Sequence, residues 1–411
     1  MVTTSFVASA AAVTGCWVVH AAAASSGVFD VPLELRNVYP AANFNRNVST
    51  RYWQTTVLDG HSNEDSLALS QNLTDASFIV LDQGMYELIG IDGKNGCAPS
   101  VEPIFDFPPG PSYTNRLTHD GIAYSPECNC IFLGELYPPN EGFSMIPIPW
   151  IWRINLNSNP PKTEQVNPSP PLTLANGATY HKGSIYFIQE GNTTVPGGIV
   201  KMDPLTLKTE VVLNNWFGHR FNSPNDIVID NDDVAYFTDG YYGYDTFKTT
   251  LNPELANGVW RFEMKTGNLR QFTGAGGGPF TNPNGVALNA KQDKLYITNR
   301  GLTSNDPAGG RTIYEFNVNN KEGIPVTGPT VFSYQDSGFP DGIKTDSAGR
   351  VYASANGGVN VWDKTGRQLG IIKVQTGDDS VQMQFVGNDL YIAGREHLYR
   401  VHLNATGSQV Y

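Results

Sequence analysis

A short pattern recurs six times along the chain and leaves few folds open to it. Each copy starts at a polar corner, usually Asn or Asp before Gly, and runs through an apolar strand. It then turns into a second strand that carries an aromatic residue. The copies open at Asp120, Asn176, Asn225, Asn284 and Asp341, with a degenerate one beginning at Met383. A second hairpin follows most of them, around Trp152, Trp260, Tyr314, Trp362 and Tyr399. Spacings of roughly 42 to 59 residues give each unit about four short antiparallel strands, the size of a propeller blade. One such sheet cannot bury both faces alone, so the units must pack side by side around an axis. The expected fold is all-β: a six-bladed β-propeller over residues 76–411, with four-stranded antiparallel blades around a central channel. An arm over 25–75 precedes it. Pro103 to Leu117 and Ser304 to Arg311 read as rim loops between repeats.

Composition supports strands over helices. Only 16% of residues are charged, while 42 Gly, 27 Pro and 11% aromatics favour pleated strands and tight turns. With 27 Lys plus Arg against 39 Asp plus Glu, the net charge is −12. That sign disfavours nucleic acid and anionic membranes as partners and leaves a small molecule as the expected ligand. Residues 1–24 read as a secretory signal peptide, because Phe6 to Ala24 carries no charge and ends in small residues. Sequons at Asn47, Asn72, Asn192 and Asn404 fit a secreted, N-glycosylated protein. If Cys16 leaves with the signal, Cys97 is expected to pair with Cys128 or Cys130, leaving one thiol over.

The corners carry the chemistry. Any single Asn or Asp before Gly is an ordinary turn residue. Five at one register of successive blades converge on the axis, and a ring of oxygen donors is what a hard cation such as Ca²⁺ requires. Other chemistries lack their signatures: the sequence has no G-x-S-x-G, no Walker loop and no H-E-x-x-H. The glycines at 274 and 276–278 precede no helical pattern and do not form a dinucleotide fingerprint.

Longer stretches around these corners resemble a known family. N-N-W-F-G-H-R-F-N-S-P-N-D-I-V-I (214–229), Y-F-T-D-G-Y-Y-G-Y (236–244), F-P-D-G-I-K-T-D-S-A-G-R-V-Y (339–352) and G-V-N-V-W (358–362) are similar to the senescence-marker-protein/gluconolactonase/luciferin-regenerating family. The likeness is greatest to its secreted fungal lactonohydrolases. It spans about residues 80 to 411 and implies a lactone-hydrolysing enzyme with a divalent metal, usually calcium, in the channel. The resemblance implies a ligand triad of Asp120, standing where the family has Glu, with Asn225 and Asn299. At Asn299 the family has an Asp that also acts as base. Losing that carboxylate implies a weaker metal site and moves the base to another channel residue: Asp341 or Asp120, with His119 behind them. Asn176, Asn284, His219, Arg220 and Asp239 are the expected substrate contacts. Because Asn299 cannot act as a base, a non-hydrolytic isomerase, dehydratase or cyclase on the same scaffold is the alternative. A binding propeller without chemistry is the third.

Overall fold

The computed structural model describes residues 27–31, 71–91, 97–107, 118–136, 151–246, 249–274, 280–301, 310–319, 324–325, 328–335 and 338–409. The expected signal peptide, most of the arm and the sequon at Asn47 lie outside them. Six sheets are arranged as blades, each numbered here from its innermost strand. Blade I runs Thr118–Ser125, Cys130–Leu136, Ile151–Asn155, Lys162–Val166. Blade II runs Ala175–His181, Ser184–Gln189, Gly198–Met202, Thr209–Leu213. Blade III runs Pro224–Ile229, Val234–Asp239, Gly258–Glu263, Asn268–Gly274. Blade IV has Pro283–Leu288, Lys294–Asn299, Thr312–Asn319 and Thr330–Tyr334, with a short Ile324–Pro325 pairing beside the third.

Blades V and VI are completed from the other end of the chain. Blade V has Ile343–Thr345, Val351–Ala355, Gly358–Trp362 and Gln368–Lys373. Ala76–Val80 then adds an antiparallel strand and Gly27–Asp30 a parallel one. Blade VI has Ser380–Val386, Asp389–Gly394 and His397–His402, and takes its outermost strand, Val101–Asp106, from near the N-terminus. This strand closes the ring by joining sequence-distant segments in one sheet. The rim loop expected from Pro103 is therefore a strand as far as Asp106. Pro103 is tolerated because it lies on an outer edge, where a missing N–H costs no ladder bond.

The aromatic residue of each second strand explains why blades stack. Phe132, Tyr186, Tyr236, Tyr296, Tyr352 and Tyr391 occupy the same place in successive copies, and all are buried. Six apolar clusters separate the six pairs of neighbouring blades. Tyr236, Val286, Leu295 and Phe316 pack between blades III and IV, for example, and Tyr296, Ile343 and Trp362 between IV and V. Among the described residues no helix is long and apolar enough to cross a membrane.

The C-terminal segment crosses the far end of the channel. Ser408 N–H donates to Thr345 O, and Gln409 Nε2 to Tyr180 O at 2.7 Å. Both acceptors lie at the C-terminal ends of inner strands, opposite the polar corners.

One expectation about sulfur is corrected. Cys128 and Cys130 are both free thiols, so neither is bonded to Cys97. Cys128 sits in the turn before its strand rather than on it, while Cys130 is buried in the blade I–II core and donates its Sγ proton to Cys128 O at 3.1 Å. The alternation that would aim both at one partner is absent.

Candidate active site at the polar corners

The inner strands of blades II, III, IV and VI each carry a register shift just after their first paired residue, and that of blade I carries one just after Asp120, its third. A β-bulge places two residues opposite one and turns side chains out of the ladder. Here it turns the corner residues toward the axis. The glycines beside them are required by close approach. A Cβ on Gly121, whose φ is +62°, would lie 2.0 Å from Asn176 O, and one on Gly177 would lie 2.5 Å from Asn225 O. Gly285 is pressed in the same way on Asp341 O. Each corner thus packs on the next, and the ring is contiguous.

Hydroxyls on second strands stitch the corners together. Thr238 Oγ1 accepts from Asp226 N–H and donates to Asn284 O in the next blade. Thr298 Oγ1 accepts from Gly285 N–H at 2.7 Å and donates to Asp341 O at 2.8 Å. Ser354 continues the pattern to Val381 O in blade VI. In blades III, IV and V the residue before the second-strand end thus holds the next blade's inner strand. The Thr-Asp and Thr-Asn pairs at 238–239 and 298–299 were the available signal for this role.

Three carboxylates face one another in the channel. Asp120 titrates well above the usual carboxylate range, first because burial disfavours its charge and then because Asp341 and Asp226 are nearby. Burial also raises Asp341, while Arg300 and Arg395 pull it back toward ionisation. Asp226 is raised by burial, offset by Lys344 and by N–H donors from Val286 and Ile227. The structure therefore brings Asp120 and Asp341 together, with Asp226 as a third carboxylate that the sequence reading did not single out.

The amides around them are oriented by their partners. Tyr242 sits in a single π-turn, Tyr242–Thr246, with its hydroxyl 3.2 Å from Asn282 O and 3.2 Å from Asn284 Nδ2. A backbone carbonyl only accepts, so the one phenolic proton goes to Asn282. The oxygen must then accept from Asn284, which fixes the amide with its nitrogen toward Tyr242 and leaves Oδ1 for the channel. Asn176 donates to Glu190 Oε1 at 2.9 Å, and its Oδ1 is buried without a hydrogen-bond partner among the described residues. Burial raises Glu190 to about 7. Asn225, 4% exposed, makes no side-chain hydrogen bond among the described residues.

Other expected contacts are placed elsewhere. Asn299 Oδ1 accepts from Thr281 N–H at 2.9 Å and Asn282 N–H at 3.0 Å. Both lone pairs of that carbonyl are spent on the loop ahead of Pro283, so it has none left for a cation. Asp239 has the equivalent task one blade earlier, accepting from Asn222 and Ser223 N–H at 2.9 Å each and from Asn222 Nδ2 at 3.0 Å. It is a loop clamp, not a substrate contact, and burial raises it to about 7. Arg220 is committed to Glu254 through Nε at 3.0 Å and Nη2 at 2.8 Å, and His219 is an exposed rim residue 3.7 Å from the same carboxylate. The His119 side chain lies outside the described residues.

Whether a cation fits can be judged from these donors. Among the described residues no three His, Cys, Asp or Glu side chains are arranged to hold a metal. An ion at the corners must therefore take amide oxygens as well as carboxylates. Asp120 and Asp341 supply two like charges held close together at a burial cost, which a cation between them would relieve. Asn225 and the oriented Oδ1 of Asn284 add neutral oxygens. An all-oxygen set of this kind fits a hard divalent ion.

Comparison with known proteins gives the family. The chain is 28% identical over 372 residues to the lactonohydrolase oryL of Aspergillus oryzae, covering 84% of this chain and 79% of the relative. It is 26% identical over 443 residues to lactonohydrolase oryH of the same organism, covering 88% and 86%. A solved gluconolactonase from Xanthomonas campestris shares the fold, with a TM-score of 0.62 at 18% identity over 80% of this chain and 95% of that one. Residues 151–394, more than half of the chain, match the SMP-30/Gluconolactonase/LRE-like region, and the chain belongs to that family.

Proposed function

We propose that the protein is a divalent-cation-dependent lactone hydrolase, with calcium the favoured ion. The observation that carries this reading is buried Asp120, its titration raised further by neighbouring Asp341, at corners that also bear the buried amides of Asn225 and Asn284. Relatives named as lactonohydrolases support the reaction class. Asp120, Asp341, Asn225 and Asn284 would hold the ion, with a ligand charge of −2 rather than the −1 of a set built on Asn299. When bound, it polarises the lactone carbonyl and offsets the charge that develops on its oxygen.

The chain's own residues do the rest. Arg300 keeps Asp341 closer to ionised than Asp120, so Asp341 takes the proton from the attacking water. Water oxygen bonds to the carbonyl carbon, the ring C–O bond breaks, and Asp341 returns the proton to the leaving ring oxygen. Asn176 Oδ1, buried and unpartnered, accepts a hydrogen bond from a substrate hydroxyl. Tyr242 keeps Asn284 from rotating its nitrogen toward the ion. The non-hydrolytic alternative took its motive from the base missing at Asn299, and a base at Asp341 removes that motive.

Ring opening of simple aldono- and aromatic lactones, followed by acid release with calcium and after chelation, tests the reading. Calcium-dependent turnover of at least one lactone is expected, and no turnover across a broad panel under either condition would refute it. Tyr242→Phe should weaken calcium binding about five-fold, the value of one hydrogen bond, in a calorimetric titration. An unchanged affinity would remove Tyr242 from the account. Export remains part of the proposal, supported by exposed Asn72 and Asn404 and half-exposed Asn192 in their sequons.

A further inference from the structure

Most arginines among the described residues hydrogen-bond a carboxylate, and Arg300, beside the reacting corner, is held more loosely. Among the described residues the guanidinium groups of Arg153, Arg220, Arg261, Arg350, Arg367 and Arg400 each hydrogen-bond a carboxylate. Arg300 does not. It follows the second-strand end of blade IV, where its backbone N–H is tied to Asn282 O. Its side chain is two-thirds buried, with Nη1 at 3.6 Å from Asp341 Oδ2, beyond hydrogen-bond reach. Five N–H donors beside the reacting corner thus have no hydrogen-bond partner among the described residues. A guanidinium buried to that extent without hydrogen-bond partners is costly unless a ligand or water completes it.

Local charge points to the sign of that ligand. Asp120, Asp226, Asp341 and Asp379 face Arg300, Lys344 and Arg395, the last lying 3.4 Å from Asp379. Four carboxylates against three cationic side chains leave the corner slightly negative, and a divalent cation bound there would make it positive. A planar guanidinium fork matches a planar carboxylate in two parallel hydrogen bonds.

We propose that Arg300 docks a carboxylate of the substrate, so that the channel prefers a lactone bearing a free carboxylate over a neutral one. This deepens the lactonase reading and rests on it for the kinetic test, while a binding test stands without it.

The experiment uses the calcium-loaded full chain with three probes: glucono-δ-lactone, a glucaric acid monolactone and 6-phosphogluconolactone. Wild type should show kcat/KM about ten-fold higher for the carboxylated lactone than for the neutral one. Arg300→Gln should lose that preference through a KM rise of about 10–100-fold confined to the carboxylated lactone, while kcat falls alike on both lactones because Asp341 loses its cationic neighbour. Arg300→Lys should fall between, which keeps the test usable if the glutamine variant folds poorly. No preference in wild type, a preference for the phosphate ester, or an equal KM rise on both lactones in Arg300→Gln would overturn the proposal. Should no lactone be turned over, the lactonase reading fails and the binding arm decides. Millimolar glucarate should raise the Tm of wild type more than sorbitol does, and Arg300→Gln should lose that difference. Equal shifts in both proteins, or none, would overturn it.

Discussion

Asp341→Asn should lower kcat by about 10²–10⁴-fold at saturating calcium, the range expected when a general base is removed. The change is nearly isosteric. Asp341 is held through its backbone, by its N–H to Ser354 O and by its carbonyl accepting from Thr298 Oγ1, and neither bond involves the carboxylate. What disappears is a negative charge that burial disfavours, so thermal stability should stay level or rise while activity collapses. Calcium affinity should fall with it, since a site at these corners would lose half of its ligand charge. Rates measured beside a melting curve separate this outcome from misfolding. Activity within ten-fold of wild type would take the base away from Asp341.

Asn299→Ala should have the opposite profile. Removing Oδ1 leaves the N–H groups of Thr281 and Asn282 without the acceptor they now share. Leaving a buried donor unsatisfied costs about 1–3 kcal/mol, so the pair should cost about 2–6 kcal/mol. Thermal or denaturant unfolding reads this directly. Asn299→Asp keeps both acceptor oxygens and should behave like wild type, because Asp239 already does the same work one blade earlier. If Asn299 were a cation ligand instead, the aspartate variant would bind calcium markedly tighter and the alanine variant would lose it. That pattern would restore the assignment suggested by the sequence likeness.

The contrast between these residues shows what the sequence could carry. The repeat was legible because each blade needs an aromatic at one place on its second strand, as Tyr236, Tyr296 and Tyr352 show, and a polar corner where the inner strand bends. Strand period and turn residues are local, and they survive in a single sequence. Side-chain direction at the corners was not legible. A bulge turns Asn225 and Asn284 to the axis, whereas Asp239 and Asn299, at the ends of regular second strands, face the loop in front of them. Bulges depend on pairing register, which no local pattern announces. Tyr242 was missed for a similar reason: its role comes from a fold-back that sets its hydroxyl against residues about forty positions later. The closing strand at Val101–Asp106 was hidden by distance, since its partner lies near the other end of the chain.

Manganese soaked into crystals of the full chain, located by its anomalous signal, would test the central claim most directly. The account expects one strong peak in the channel, within about 2.0–2.6 Å of carboxylate oxygens from both Asp120 and Asp341 and of an amide oxygen from Asn225 or Asn284. A peak coordinated by Asn299, or no peak at the corners of a protein that is active with calcium, would contradict it.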